Sequence, residues 1–413
     1  MKFPFVVPII ILGFMFFLSV STVGSNIFFG LSAIASVIIF FISMRNVSYK
    51  EVLNQPFISF FAFFFLMLVI TLFSKSTVKE SLVAITRYLE IFFIPLMAFT
   101  IARTQKLNIY CVLAFMFAML VTLIFSYDQA FGKSFLVDSF ALKDNLKRLG
   151  GALNPTVFKL QITHNFFMSF ACLCFAYGAY YFWSARRLFA LFLALLCCVS
   201  FFNIFFMVQG RTGYLVFLVC LTYLFISYSG LKGVFGSLIF APMALVILFT
   251  LSPGFQDRVF LGFSELYAWD HTLPSSTSIG LRLEFIYNSL RVSSENLFFG
   301  VGIGNFYSAY GSYLDSSSMV KSTNPHNQYI LFLVEIGIFG LIAFLYLNYV
   351  CWKSAARLSL FWKHSTRIVL LGYGVGNLFN SFLTDAGESL FFSAFMAVAF
   401  SELLSGKNIK STA

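Results

Sequence analysis

The chain has 413 residues, is 60% hydrophobic and 20% aromatic, and carries charge at only 10% of its positions. Soluble globular domains carry roughly a quarter charged residues, so that class is excluded. The net charge of +11 falls largely in short turns between apolar runs; it is an insertion signal, and no nucleic-acid partner is expected.

Apolar runs long enough to cross roughly 30 Å of hydrocarbon recur along the whole length. They predict an all-α polytopic membrane protein of about 12 transmembrane helices, near 3–23, 26–44, 57–73, 82–101, 108–127, 165–183, 188–208, 214–229, 234–252, 327–350, 368–384 and 389–405. The first run is too long for a typical signal peptide and lacks a small-residue cleavage site, so it is expected to stay. With Lys2 inside, the inner turns hold Arg45, Arg103, Arg186, Lys232, Lys353 and Lys407. Both termini are then cytoplasmic, and the basic turns can also attract anionic membrane lipid. The seven cysteines lie in or beside the runs, so neither a disulfide framework nor a metal site is expected. Residues 1–413 are read as a single transmembrane domain with two external segments, 128–164 and 253–326. No internal repeat is visible, which argues against a transporter or flippase.

Within the fourth span, Arg87 and Glu90 stand three residues apart and share a face. They form either a structural ion pair or part of a polar cavity lining. The first external segment carries the basic cluster Lys143–Arg148, and His164 opens the next span. Arg211 sits in Gln209-Gly210-Arg211-Thr212-Gly213, a tight external turn. It is either a helix-end arginine snorkelling to the interface or a phosphate clamp, with glycines that permit close approach.

The long segment 253–326 contains Arg258 beside Asp257, then an amphipathic helix over Ser278–Ser293 with Ile279, Leu283, Ile286 and Leu290 on one stripe. Arg282 and Arg291 lie on that helix and are solvated charges unless they hold a ligand. A glycine-rich aromatic run, Glu295–Phe306, follows without a preceding strand, so it is not a nucleotide loop. Its aromatic residues Phe298, Phe299, Phe306, Tyr307 and Tyr310 are available to bury a lipid or stack on sugars. Next comes Asn324-Pro325-His326-Asn327 at the lip of an apolar helix. Asn324 is expected to cap that helix and Pro325 to open it. His326 then falls in the first turn, where the helix dipole disfavours an imidazolium. A neutral imidazole at a water–membrane boundary is a candidate general base. Glu335 is a further acid within the same span.

The order of these parts resembles the O-antigen ligase and polymerase superfamily. The resemblance rests on the Gly210-Arg211-Thr212-Gly213 turn, the external loop with Gly280-Leu281-Arg282-Leu283, and the Gly300-Val301-Gly302-Ile303-Gly304-Asn305 run. It extends to Asn324-Pro325-His326-Asn327 and the span with Glu335-Ile336-Gly337-Ile338-Phe339-Gly340. It implies a bacterial inner-membrane enzyme whose active site faces the periplasm. The donor is a glycan on undecaprenyl pyrophosphate, and the acceptor is a hydroxyl of the lipid A-core. Under the resemblance, His326 is the catalytic base, while Arg211 and Arg282 bind the pyrophosphate as it leaves. Arg258, Asn324, Asn327, Arg87 and Arg291 are candidates for binding substrate beside them. No cofactor and no metal are implied, and direct displacement inverts the anomeric centre. A ligase is favoured over a polymerase that joins lipid-linked repeat units. A protein-directed oligosaccharyl ligase is a third possibility, and a lipid-linked oligosaccharide flippase is the rival from another class.

Overall fold

The computed structural model describes residues 5–43, 54–72, 78–132, 153–315 and 318–405. The helices, in chain order, are α1 (Val6–Val20), α2 (Thr22–Ser43), α3 (Phe57–Thr71), α4 (Val78–Ile85), α5 (Leu89–Ala102), α6 (Leu107–Ala130), α7 (Gln161–Phe182) and α8 (Arg187–Phe202). They continue as α9 (Arg211–Leu251), α10 (Pro253–Tyr267), α11 (Ser278–Glu295), α12 (Phe306–Gly311), α13 (Gln328–Ala355), α14 (Leu360–Gly376) and α15 (Ala386–Leu404). A 3₁₀ turn, Thr86–Tyr88, joins α4 to α5, and a π-helical turn, Asn203–Met207, extends α8. No strand occurs among the described residues. With no water in the bilayer core, helices satisfy their own backbone groups, so apolar runs fold this way.

Among the described residues, eight helices are long and apolar enough to cross a membrane, and Val6–Val20 and Phe57–Thr71 are shorter apolar helices. The 41-residue α9 accounts for two of the expected spans. Its helical geometry breaks at Gly230, with φ +56° and ψ −133°. Gly233 then packs against the backbone of Phe225 and Ile226, so the chain turns back on itself there. The expected span 368–384 is displaced: α14 ends at Gly376, and residues 377–385 form an irregular segment. The irregular segment holds Asn377, Asn380, Ser381, Thr384 and Asp385, whose side chains compete with helical backbone bonding. The basic cluster Lys143–Arg148 lies outside the described residues.

The chain divides into two compact units, residues 1–32 with 105–259 and residues 33–104 with 260–413. In the first, α8 and α9 pack on α7, and α1 packs on α6. Its interior is tied by Asn165, whose Nδ2 donates to the carbonyls of Ile204, Val208 and Gly210 at 3.3, 3.0 and 3.4 Å. In the second unit, α15 packs on α5, α3 packs on α5 and α13, and α13 also contacts α11 and α14.

The span α13 is not a continuous helix. Gly337 adopts φ +68° and ψ −171°, and the glycine run 300–304 docks against the break. Val301 N donates to Val334 O at 2.8 Å, Gly302 N to Glu335 O at 2.9 Å, and Ile338 N to Leu297 O at 2.7 Å. The loop thereby satisfies backbone groups that the break releases, the condition for irregular backbone at membrane depth.

Candidate functional site

The end of the long segment departs from the expected helix start. Asn327, not Asn324, is the N-cap of α13, and its Oδ1 accepts from Ile330 N at 3.0 Å. His326 therefore precedes the helix and takes a left-handed backbone, φ +53°, which few residues other than glycine adopt. The physical reason is the side chain of Asn324. Its Oδ1 accepts from His326 N at 2.7 Å, closing a local turn that competes with helix initiation at Pro325.

The same short stretch is bound to the segment 377–385. Ser381 Oγ donates to Asn324 Oδ1 at 2.7 Å, and Asn327 Nδ2 donates to Leu378 O at 3.0 Å. Gln328 N donates to Asn377 O at 2.9 Å, while Gln328 Oε1 accepts from Leu383 N at 3.0 Å. Both side-chain ends of Asn327 are thus engaged within the protein. The polar tail of the run 368–384 was the one signal in the sequence for this segment.

His326 faces α11. Its ring is stacked on Phe285, with centroids 5.9 Å apart. Burial lowers the imidazole pKa from its ordinary value, and the Arg282 guanidinium lowers it further. The neutrality expected from the sequence persists, but its cause is desolvation and a neighbouring cation instead of a first-turn position. A small apolar core fixes α11 against α13. Phe285, Val292, Val301, Phe306, Tyr310, Leu331 and Val334 are buried together. The inward face of α11 also carries Glu284 and Asn288, while Leu290 of the expected apolar stripe is 47% exposed. That stripe is therefore not the face that packs on the protein. Glu284 Oε2 accepts from Ser275 N at 3.0 Å, which ties down the start of the helix.

The other charges of this unit separate into two kinds. Arg291 Nη1 pairs with Asp315 Oδ2 at 2.7 Å and also donates to Asn288 Oδ1 and Tyr313 O, each at 3.1 Å. Arg87 makes no ion pair with Glu90. It lies in the 3₁₀ turn, which interrupts the α-helical spacing that would align the two, and Glu90 lies by Ser389 of α15. Arg87 is exposed and lines a cavity of about 150 Å³ with Ala84, Tyr88, Thr323, Asn324, Leu331, Glu335, Thr384 and Asp385. Burial pushes the Asp385 carboxyl up to about 6, an effect that Arg87 opposes.

The expected aromatic surface also divides. Phe306 and Tyr310 are buried and stacked, with centroids 5.5 Å apart. Phe298 and Phe299 remain 59% and 62% exposed and flank Phe339 beside the break in α13. Lys321 Nζ sits 4.1 Å from the centre of the Tyr307 ring.

In the first unit, Arg211 is the first residue of α9, with Gly210 at the N-cap. The neighbouring glycines have a packing reason of their own. A Cβ on Gly213 would collide with Asn165, and one on Gly210 would fall 2.6 Å from Gln161 O. Arg258 donates through Nε to Gln209 Oε1 at 3.2 Å and bonds the same oxygen through Nη2. Gln209 belongs to the turn that carries Arg211, so Arg258 braces that turn. His164 is buried in α7, with Nε2 2.9 Å from Asn203 Oδ1; Asn203 Nδ2 in turn donates to Ser126 Oγ at 2.8 Å. It is part of a core polar network.

Residues 196–345 match the family model described as O-Antigen ligase. No curated protein matches the chain. The matched stretch runs from α8 into α13 and includes Arg211, Arg258, Arg282 and His326.

Proposed function

We propose, from the match of residues 196–345 to the O-antigen ligase family model, that the chain moves a glycan from undecaprenyl pyrophosphate to a hydroxyl of lipid A-core. A membrane glycosyl-transfer enzyme of the ligase or polymerase type is what the family supports. The finer assignment is ours, as are the inner-membrane location and the periplasmic face. The observation that carries it is the imidazole of His326, kept neutral by burial and Arg282 and held by its neighbours in a left-handed backbone. Strained backbone at a polar, titratable residue is a marker of functional sites.

In the proposed reaction, a ring nitrogen of His326 takes the proton from the acceptor hydroxyl. The acceptor oxygen bonds to the anomeric carbon, and the bond from that carbon to the pyrophosphate oxygen breaks. The electron pair leaves with the pyrophosphate, and direct displacement inverts the centre. Arg282 and Arg211 stabilise the departing charge, because planar guanidinium forks suit phosphate oxygens. Arg258 keeps the Arg211 turn in place and is a third contact for the donor. Arg291, which has Asp315 as its counter-ion, is assigned to folding the loop, and Asn324 and Asn327 to holding His326. A pyrophosphate-linked glycan is already activated, so positioning, proton removal and charge neutralisation suffice.

The test is reconstitution of the full chain with a defined undecaprenyl-pyrophosphate glycan, offered lipid A-core or a second donor as acceptor. Glycan on lipid A-core supports the ligase, whereas a dimer of repeat units identifies a polymerase. His326→Ala is expected to lower turnover by about 10²–10⁴-fold, the usual contribution of a general base, with donor binding retained. Arg211→Lys is expected to weaken donor use, because an ammonium lacks the two-pronged geometry. Full activity in Arg211→Lys would remove the pyrophosphate role from that residue.

A further inference from the structure

Arg87, Glu335 and Asp385 line one cavity of about 150 Å³, yet among the described residues no ion pair joins Arg87 to either carboxylate. Opposite charges that share a small space ordinarily close on each other, so something keeps these apart. Each is anchored to a different part of the unit. Gly304 N donates to Glu335 Oε1 at 3.0 Å from the docked glycine loop. Asp385 is the N-cap of α15, at the end of the segment bonded to Asn324, Asn327 and Gln328. Arg87 is fixed in the 3₁₀ turn.

A space bounded in this way takes a group with both donors and acceptors. The carboxylates accept, the guanidinium donates, and Asn324 and Thr384 offer further polar groups. Two acids against one base disfavour a phosphate or other anion, and the polar walls disfavour an alkyl chain. A sugar ring meets the requirement, since its hydroxyls donate to carboxylates and accept from arginine, and Tyr88 also lines the space. A cavity of about 150 Å³ holds one six-membered ring and not an oligosaccharide. A ring bonded directly to pyrophosphate would bring that charge close to Glu335 and Asp385, so the ring is not the donor's first sugar. Asn324 both lines the cavity and bonds His326 N at 2.7 Å, so the space lies beside the base.

We propose that this cavity is the subsite for an uncharged sugar ring of the acceptor glycan. It rests on the assignment of a glycan acceptor made above. Two variants of the full chain in lipid nanodiscs test it. Thr323→Trp plugs the rim from an exposed position, and Asp385→Asn keeps the shape while removing the charge. Thermal melting verifies that both are folded. Asp385→Asn is expected to raise the acceptor KM about ten-fold, the loss of a hydrogen bond to a charged group, and Thr323→Trp to raise it at least as much by filling the space, with donor KM and turnover at saturating acceptor unchanged in both. Saturation-transfer NMR with lipid-free core oligosaccharide, and no donor, gives the second readout: a signal on the sugar with the wild type that disappears with both variants. Unchanged acceptor KM and an unchanged oligosaccharide signal in both would mean that the cavity holds water only, and the subsite would be overturned. A rise in donor KM alone would overturn it as well. If the chain transfers no glycan but its variants still abolish oligosaccharide binding, the subsite stands and the transferase assignment falls. Transfer that depends on His326 and ignores both variants would do the reverse.

Discussion

At the scale of the residue, His326 is held in a conformation that costs roughly 1–3 kcal/mol at a non-glycine position. It persists because Asn324 Oδ1 accepts from its backbone N–H and from Ser381 Oγ. Asn324→Ala removes both bonds and is expected to destabilise the protein by about 1–2 kcal/mol, read by thermal melting, and to lower turnover more than acceptor KM. Asn324→Asp retains the acceptor oxygen and is expected to recover most of the turnover. Loss of turnover in both alike would detach Asn324 from the base. The pH dependence follows from the lowered imidazole pKa. The base form is present above that pKa, and activity falls as pH falls through it. Arg282→Gln removes one of the two causes, so the pKa returns toward its ordinary value near 6.5 and the acid limb of the rate profile moves to higher pH. An unmoved limb would mean that the titrating group is not His326. The motif was legible in the sequence because a proline-framed histidine stands out among apolar residues. Its conformation was not: propensity favours Asn324 as a cap and Pro325 as the opening residue, but bonding between Asn324 and its neighbours takes precedence and the helix starts later.

Among the elements, the break in α13 does most to shape the site, since it seats the glycine loop and aims Glu335 at Gly304. Gly337→Ala meets two penalties, a positive-φ backbone that is essentially confined to glycine, at about 1–3 kcal/mol, and a collision of its Cβ with the Phe298 carbonyl. Gly230 also has positive φ, but a Cβ there meets open space. Gly230→Ala is therefore expected to cost only the backbone term, and Gly337→Ala to lower the melting temperature further and abolish transfer. Equal losses in the two variants would show that loop docking adds nothing. Hydropathy locates spans well because insertion depends on apolar length. It is blind to this break, as the residues on both sides of Gly337 are apolar. It also absorbed residues 377–384 into a neighbouring apolar run, so Ser381 was missed, along with the cavity that the next residue after the run, Asp385, lines.

For the whole molecule, the basic bias of alternate turns makes a prediction about orientation that the helices by themselves leave open. Lysine and arginine are retained on the cytoplasmic side during insertion. The turn at Gly230, next to Lys232, should therefore face inward, and the segment between α10 and α11 outward. Ser229 and Ser276 are exposed and suit single-cysteine substitution. The seven native cysteines lie in or beside apolar runs, so the unsubstituted chain supplies the labelling background. In spheroplasts, a membrane-impermeant maleimide is expected to label Ser276→Cys at once, and Ser229→Cys only after permeabilisation. Labelling of both from outside would mean that the halves of α9 do not return across the bilayer. The reversed pattern would carry a heavier consequence. The turn preceding α13 would then open on the cytoplasm, and His326 would face away from the leaflet where the proposed donor and acceptor meet.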